Sequence, residues 1–179
     1  MRGPDIRSKR VVLVPFCCLI QGVRAQGIVC HYPAVVTPVV EMLVRNNIGI
    51  IQMPCPELYI DNLERAPCGK QKYDQPRFRE VYRRLAQGVV KQIVSLRRGG
   101  FHIEAILGVE YSPSCAIAIL SRSSARNSNG KGVFTEELLR AFSDQKEEVP
   151  PMLGIENYQI GRTESRLAEI LRKGGGRGV

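Results

Sequence analysis

The clearest structural signal in the sequence is the segment Ile48-Gly49-Ile50-Ile51-Gln52-Met53-Pro54-Cys55-Pro56-Glu57. Its isoleucine-rich first half is typical of a buried strand, and the prolines on either side of Cys55 end that strand abruptly. The thiol of Cys55 is therefore predicted at the carboxyl end of a strand. The carboxylate of Glu57 follows two residues later.

The same pattern, an apolar run that leads to a cysteine, occurs at two other places. Residues 11–16 run into Cys17-Cys18, and residues 105–109 run into Ser112-Pro113-Ser114-Cys115. In open α/β sheets, ligands bind in the crevice outside the carboxyl ends of the strands. We therefore expect three thiols to meet in one crevice.

Helices are predicted between these strands. Apolar residues recur at helical spacing between Pro33 and Asn47, and Pro38 moves the start of this helix to about Thr37. A long amphipathic helix is predicted over residues 77–98, and it ends at Gly99-Gly100.

The last third of the chain continues the alternation. A helix with Thr135 as its N-cap is predicted to run to about Lys146, followed by a strand over residues 150–155 and a helix over residues 163–173. This order predicts one doubly wound, Rossmann-like α/β domain over residues 1–179, with a mostly parallel sheet and helices on both faces. We expect residues 1–10 and 174–179 to be flexible.

Two connections have an unusual composition. Residues 58–76 show no clean period and are longer than most connections, so we expect a wall or lid over the crevice. Residues 121–132 are rich in Ser, Asn and Gly, which predicts a mobile loop.

Composition and charge limit the class of protein. A hydrophobic fraction of 44% and a charged fraction of 24% are ordinary for a globular domain. The basic N-terminus precedes an apolar segment, as in a signal peptide. However, Pro15 and Cys17-Cys18 interrupt that segment, and no clear cleavage site follows. No apolar run approaches the roughly 20 residues that cross a bilayer, so we expect a cytoplasmic protein with no membrane partner.

The net charge of +9 has two interpretations. It is either a solvated basic surface or an attraction to anions, from charged small molecules up to RNA. Aromatic residues make up 6% of the chain, with no Trp, so a base-stacking platform is poorly supported. Binding of tRNA stays open but is not preferred.

The chain has six cysteines and no CxxC pair, which argues against a zinc ribbon or a thioredoxin-like site. Cytosolic cysteines are normally reduced. Cys30 and Cys68 are predicted to be small core residues, and His31 and His102 are predicted to be incidental. Cys55 and Cys115 have Pro-flanked, strand-terminal contexts that favour function.

Soft thiolate ligands select iron–sulfur clusters, Zn or Cu(I). Three cysteines from separate strand ends leave one corner of a cubane cluster without a protein ligand, and an open iron can bind a substrate atom. Side chains of adjacent residues in extended backbone face opposite ways, so Cys17 and Cys18 cannot both point into one crevice. The sequence leaves open which of the two is the ligand.

Three segments resemble the signature motifs of the 2-thiouracil desulfurase family. They are Cys18-Leu19-Ile20, Pro54-Cys55-Pro56-Glu57 and Ser112-Pro113-Ser114-Cys115. The family has Cys-Leu-Leu-Gly, Cys-Pro-Glu and Ser-Pro-Ser-Cys-Gly in this order, at similar strand ends. The resemblance implies a 4Fe-4S cluster on Cys18, Cys55 and Cys115, with one open iron.

The resemblance also implies a reaction, the removal of sulfur from a thiolated nucleobase without redox chemistry and with release of sulfide. The thiocarbonyl sulfur would bind the open iron, and water would attack the carbon with Glu57 as the general base. Ser112 would donate to the substrate ring or shuttle a proton. Without such roles, Glu57 would be a helix cap or surface carboxylate, and Ser112 would only shape its turn.

The chain departs from the family in its pocket motifs. Gln21 and Ala116 stand where the family has Gly, and Arg24-Ala25-Gln26-Gly27 replaces Arg-Tyr-Asp-Gly. Leu58-Tyr59-Ile60-Asp61 replaces a glycine-rich segment. This pattern is typical of a divergent relative. Two further classes therefore stay open: a non-catalytic iron–sulfur protein that carries or stores sulfide, and a desulfurase of thiolated tRNA.

Overall fold

The computed structural model describes residues 5–122 and 127–175 of the chain. Within these residues the chain forms thirteen helices and strands and two short 3-10 turns, Gln21–Val23 and Asn157–Gln159. In chain order the elements are β1 (Arg10–Pro15), α1 (Phe16–Leu19), α2 (Thr37–Arg45), β2 (Gly49–Met53), α3 (Glu57–Ile60), α4 (Lys70–Tyr73), α5 (Pro76–Arg98), β3 (His102–Val109), β4 (Ile119–Arg122), β5 (Asn127–Asn129), α6 (Val133–Asp144), β6 (Met152–Ile155) and α7 (Ile160–Gly175).

The central sheet has four parallel strands in the order β2-β1-β3-β6. The chain first moves from β1 outward to β2 and then crosses back to β3 on the other side of β1. The switch point of this doubly wound sheet therefore lies between β1 and β3. The predicted α/β fold class is confirmed.

Two apolar clusters hold helices on the two faces of the sheet. Leu13 of β1 belongs to the cluster that joins α5 and α6 to the sheet, whereas its neighbours Val12 and Val14 belong to the cluster that joins α2 and α7. β1 is buried on both faces, as is usual for a parallel strand between two helical layers. Each fully buried Val or Leu side chain contributes roughly 1.5–3 kcal/mol to the stability of this core.

Two of the main helices, α2 and α5, begin within one residue of the predicted start. α2 begins at Thr37 because Pro38 fits the first turn, where its missing N–H is not needed. α5 covers residues 76–98 and ends at Gly99, as expected. The fourth parallel strand and the closing helix are also present, as β6 and α7.

Two local predictions are wrong. Thr135 is not an N-cap, because α6 already begins at Val133 after Gly132, and Thr135 is buried inside the helix. The loop predicted over residues 121–132 is partly a ribbon, since β4 and β5 pair antiparallel. The polar β5 strand lies outside the core and has no apolar alternation, so its sequence carried no strand signal. Residues 123–126 lie outside the described residues.

The chain ends were predicted to be flexible. Arg10 already belongs to β1, and Gly174 belongs to α7, where it packs against the buried Glu104 side chain. Residues 1–4 and 176–179 lie outside the described part of the chain. None of the helices described is both long enough and apolar enough to cross a membrane.

Candidate functional site

A cavity of about 570 Å³ opens at the carboxyl edge of the sheet. It lies at the switch point between β1 and β3, where open α/β sheets bind their ligands. Glu57 and Ser112 line this cavity. Five cysteines line it as well: Cys17, Cys30, Cys55, Cys68 and Cys115.

Of the two adjacent cysteines, Cys17 lines the cavity and Cys18 does not. The Cys18 side chain is 0% exposed and belongs to the apolar cluster under α2 and α7, whereas Cys17 lines the cavity. The chain turns into α1 directly after Pro15, so the two side chains point in different directions around the helix. The structure therefore places Cys17 in the cavity, where the sequence-based ligand set had Cys18, one residue later.

Cys55 and Glu57 come from the turn between β2 and α3. The carbonyl of Cys55 accepts a hydrogen bond from the N–H of Leu58 at 3.1 Å, which starts the helical turn. Glu57 is the first residue of α3, and its side chain is 13% exposed. It is therefore neither an N-cap nor a surface carboxylate.

Arg65 holds the Glu57 carboxylate. Its Nε donates to Oε2 of Glu57 at 3.0 Å, and its remaining nitrogens donate to the carbonyls of Asn62 and Val23. The guanidinium is buried, so a charge-assisted bond of this kind fixes the carboxylate against the cavity wall. The second carboxylate oxygen, Oε1, is left for another partner.

The loop that carries Cys115 is fixed from both sides. The hydroxyl oxygen of Ser112 accepts from the N–H of Ser114 at 3.2 Å and from the N–H of Cys115 at 3.0 Å. The hydroxyl of Ser114 is buried and shares a hydrogen bond of 2.7 Å with the Tyr82 hydroxyl on α5. Ser112 thus shapes the turn. The sequence had left open this role and a role as a donor to substrate.

Two glycines let the chain pack closely against this loop. A Cβ on Gly132 would lie 2.3 Å from the carbonyl atoms of Ser114, and a Cβ on Gly108 would lie 2.2 Å from the carbonyl oxygen of Cys115. Both contacts are with backbone atoms, which cannot move aside as a flexible side chain does. Cys115 can therefore keep its position only if residues 108 and 132 are glycines.

Gly132→Ala is expected to displace the Cys115 loop. Overpacking of this kind costs about 1–3 kcal/mol of unfolding free energy, which urea unfolding would measure, and the iron content of the purified protein should fall with it. Gly88→Ala is the control, because no atom lies within 4 Å of a Cβ there. Equal stability and equal iron content in the two variants would show that the loop tolerates the extra carbon.

The electrostatics of the site work against three free thiolates. Burial raises the pKa of the Cys17 thiol to about 12, and burial together with the charges of Cys55 and Cys17 raises the pKa of Cys115. Burial and the Glu57 charge raise the pKa of Cys55. Arg24 lowers the pKa of Cys17, and Arg65 lowers the pKa of Cys55. Both effects are smaller than the increase caused by burial. Burial and mutual repulsion thus favour the neutral thiols, and a bound metal centre would supply positive charge that favours the thiolates.

The donor chemistry fits an iron–sulfur cluster. Within residues 5–122 and 127–175, no three His, Cys, Asp or Glu side chains are grouped as ligands of a metal ion. A cubane cluster is bound differently, because each cysteine binds a separate iron and the thiols surround the whole cluster. Three soft thiols from three strand ends around one cavity match that donor set.

The prediction that Cys30 is a core residue is wrong. Cys30 is exposed at the cavity rim, with Sγ 4.0 Å from the Tyr158 hydroxyl oxygen, so it is not a core residue. His31 also lines the rim and meets the Tyr158 ring edge-on at 4.9 Å. His102 lies at the opposite end of β3, away from the cavity. Cys68 packs against the core, as predicted, and also lines the cavity.

Residues 65–69 form one wall of the cavity, so the wall predicted for residues 58–76 is present. Ion pairs Lys70–Glu136 and Lys72–Asp61 anchor this segment on both sides. Asp61 belongs to the stretch that replaces the family's glycine-rich segment, and here it serves to hold the wall.

Sequence reasoning missed two residues that support the site. Gln21 is buried, and its Nε2 donates to the carbonyl oxygen of Cys17 at 2.5 Å, which explains why a glycine is not needed there. Arg65 was missed because it lies in the aperiodic stretch, eight residues after Glu57. The only signal in the sequence was a lone arginine among small and polar residues.

Comparisons with known proteins give one relative and one distant structural likeness. No model of a known protein family matches the chain. The uncharacterized protein MJ0003 of Methanocaldococcus jannaschii is 30% identical over 112 residues, which are 63% of this chain and 70% of that protein. A solved structure of the 4Fe-4S-dependent thiouracil desulfidase TudS is 18% identical with a TM-score of 0.41, and the match covers 89% of this chain and 99% of that chain. The cluster and activity of TudS are not carried over to this chain on that likeness.

Proposed function

We propose a function for this chain, which belongs to the family of the uncharacterized Methanocaldococcus jannaschii protein MJ0003: it is an iron–sulfur enzyme that removes sulfur from a thiolated nucleobase or a similar small thiocarbonyl compound. One observation carries this proposal. Three thiols from the ends of three parallel strands line one cavity together with a partly buried carboxylate.

Cys17, Cys55 and Cys115 would hold a 4Fe-4S cluster in this cavity. When bound, such a cluster supplies a Lewis-acidic iron without a protein ligand, which can take up the sulfur of a thiocarbonyl group. Contacts within the chain hold the backbone beside the three thiols. Pro54 and Pro56 flank Cys55, Gln21 holds the Cys17 carbonyl, and Ser112 holds the Cys115 loop.

Glu57 is the proposed general base. Arg65 engages Oε2, so Oε1 can accept a proton from a water molecule in the cavity. The water oxygen then forms a bond to the substrate carbon, and the carbon–sulfur bond breaks. Oxygen replaces sulfur without a change in electron count, so sulfide and the oxo compound are the products and no electron donor is consumed.

The remaining walls suit a small planar substrate. The Ser112 hydroxyl accepts two backbone hydrogen bonds and still has its own proton, which it can donate to a ring atom or to a thiolate. The edge-to-face pair of His31 and Tyr158 at the rim offers an aromatic surface to a ring. A cavity of about 570 Å³ is within the usual size of small-molecule sites.

The direct test is an anaerobic assay with a thiolated pyrimidine and no reductant. We expect sulfide and the oxo pyrimidine in equal amounts, measured by colorimetry and chromatography, and no turnover by Cys55→Ala. A strict requirement for an electron donor during turnover would contradict the non-redox reaction. Inactivity towards every thiolated base by protein with a full cluster would favour a carrier of sulfide instead.

A further inference from the structure

Four cations on α5 are spaced seven residues apart: Arg77, Arg84, Lys91 and Arg98. Seven residues are almost two turns of an α-helix, so the four side chains project from the same side in a nearly straight row. Adjacent members are about 10.5 Å apart along the helix axis, and the row is about 31 Å long. We call this row the α5 stripe.

The α5 stripe is exposed and unpaired. All four residues are exposed, and none of them makes an ion pair with another side chain in the described part of the chain. The guanidinium carbon of Arg77 lies 4.5 Å from the centre of the Phe78 ring, and its N–H groups make no ion pair in the described part of the chain.

The other arginines of α5 behave differently. Arg79 pairs with Asp74, Glu136 and Glu137, Arg83 pairs with Glu80 and Glu137, and Arg97 pairs with Glu147. Glu80 is the only acid that α5 itself contributes. The molecule thus neutralises the cations beside the α5 stripe and leaves the stripe itself positive.

The helix holds this row rigidly. Its opposite side is buried in the core through Tyr82, Ala86, Val89, Val90 and Ile93. The hydroxyl of Tyr82 bonds Ser114 beside Cys115, so the amino end of α5 lies at the cavity edge of the sheet. The α5 stripe therefore starts at the level of the cavity and runs towards the opposite edge.

We propose that the α5 stripe binds the phosphate backbone of a nucleic acid. Arginine, which provides three of the four cations, donates in a fork that matches phosphate oxygens. A membrane surface is disfavoured, because the large exposed apolar side chains of the described residues all lie outside α5, and interfacial helices bury an apolar face in lipid. Contacts to backbone phosphates alone make binding independent of base sequence and strongly dependent on salt. This inference goes beyond the desulfurase activity and does not depend on it.

The test measures fluorescence anisotropy of a short labelled RNA duplex, and of the DNA duplex of the same sequence, with the protein as purified. The variant replaces the α5 stripe: Arg77→Gln, Arg84→Gln, Lys91→Gln and Arg98→Gln. The control removes the same charge from α7, on the other face of the sheet: Arg162→Gln, Arg166→Gln, Arg172→Gln and Lys173→Gln. Circular dichroism checks that both variants stay folded, since Gln is as good a helix former as Arg or Lys.

We expect the wild type and the α7 control to bind both duplexes, and the α5 variant to bind at least about tenfold more weakly at about 50 mM salt. For the DNA duplex, the slope of log K against log salt should shrink by about 0.9 for each lost contact, or three to four in total. A preference for one duplex would identify RNA or DNA as the partner. Equal weakening by the two variants would show a general charge effect and overturn the proposal. Binding of the wild type to phosphatidylserine vesicles but to neither duplex would also overturn the proposal.

Discussion

Cys17→Ala is expected to abolish binding of the iron–sulfur cluster, whereas Cys18→Ala is expected to leave iron content intact. The two residues are neighbours, but the Cys17 side chain lines the cavity and the Cys18 side chain is enclosed in the core under α2 and α7. Loss of one thiolate from a set of three leaves too few protein ligands to retain a cubane cluster.

Iron content and the visible spectrum of anaerobically purified protein measure this difference. Cys55→Ala and Cys115→Ala should behave like Cys17→Ala. Cys30→Ala and Cys68→Ala should retain the cluster, although both residues line the cavity. Full iron content in Cys17→Ala together with loss in Cys18→Ala would overturn the structural assignment and restore the sequence-based one.

Glu57→Gln is expected to lower turnover about 10²–10⁴-fold, which corresponds to roughly 3–5 kcal/mol of activation free energy. Gln keeps the size of the side chain, and its amide oxygen can still accept from Arg65, so the wall should stay in place. What the variant loses is the ability to take a proton from water. The cluster spectrum should be unchanged, because Glu57 is not among the proposed ligands.

Glu64→Gln provides a matched control, since Glu64 belongs to the same connection and is exposed. Its turnover should equal that of the wild type. Near wild-type turnover of Glu57→Gln with a full cluster would assign Glu57 a structural role as the partner of Arg65. Another group would then have to activate the water.

The sequence predicted the fold because its strongest signals are local. Pro38 sets the start of α2, and the proline pair around Cys55 ends β2 at the predicted place. The four parallel strands follow from apolar runs separated by helical periods. The β4–β5 ribbon escaped prediction because β5 (Asn127–Asn129) is entirely polar and so gives no strand signal.

Residues that line the cavity were predictable only where they follow soon after a strand end. Cys55, Glu57, Ser112 and Cys115 do so, and the cavity includes all four. Whether Cys17 or Cys18 faces the cavity depends on the helical turn that starts after Pro15. The sequence argument assumed extended backbone at this point, so it could not choose between them. Arg65 is brought to Glu57 by the path of an irregular connection, and no periodic pattern encodes such a path.

The wide separation of the proposed ligands along the chain sets an order of assembly. Cys17, Cys55 and Cys115 become neighbours only after β1, β2 and β3 have aligned in one sheet. The apolar layers that align these strands consist almost entirely of other residues. A zinc finger needs its metal in order to fold, but this chain carries enough core to fold first. Its cofactor would then be inserted into a finished scaffold, through the same opening that later admits substrate.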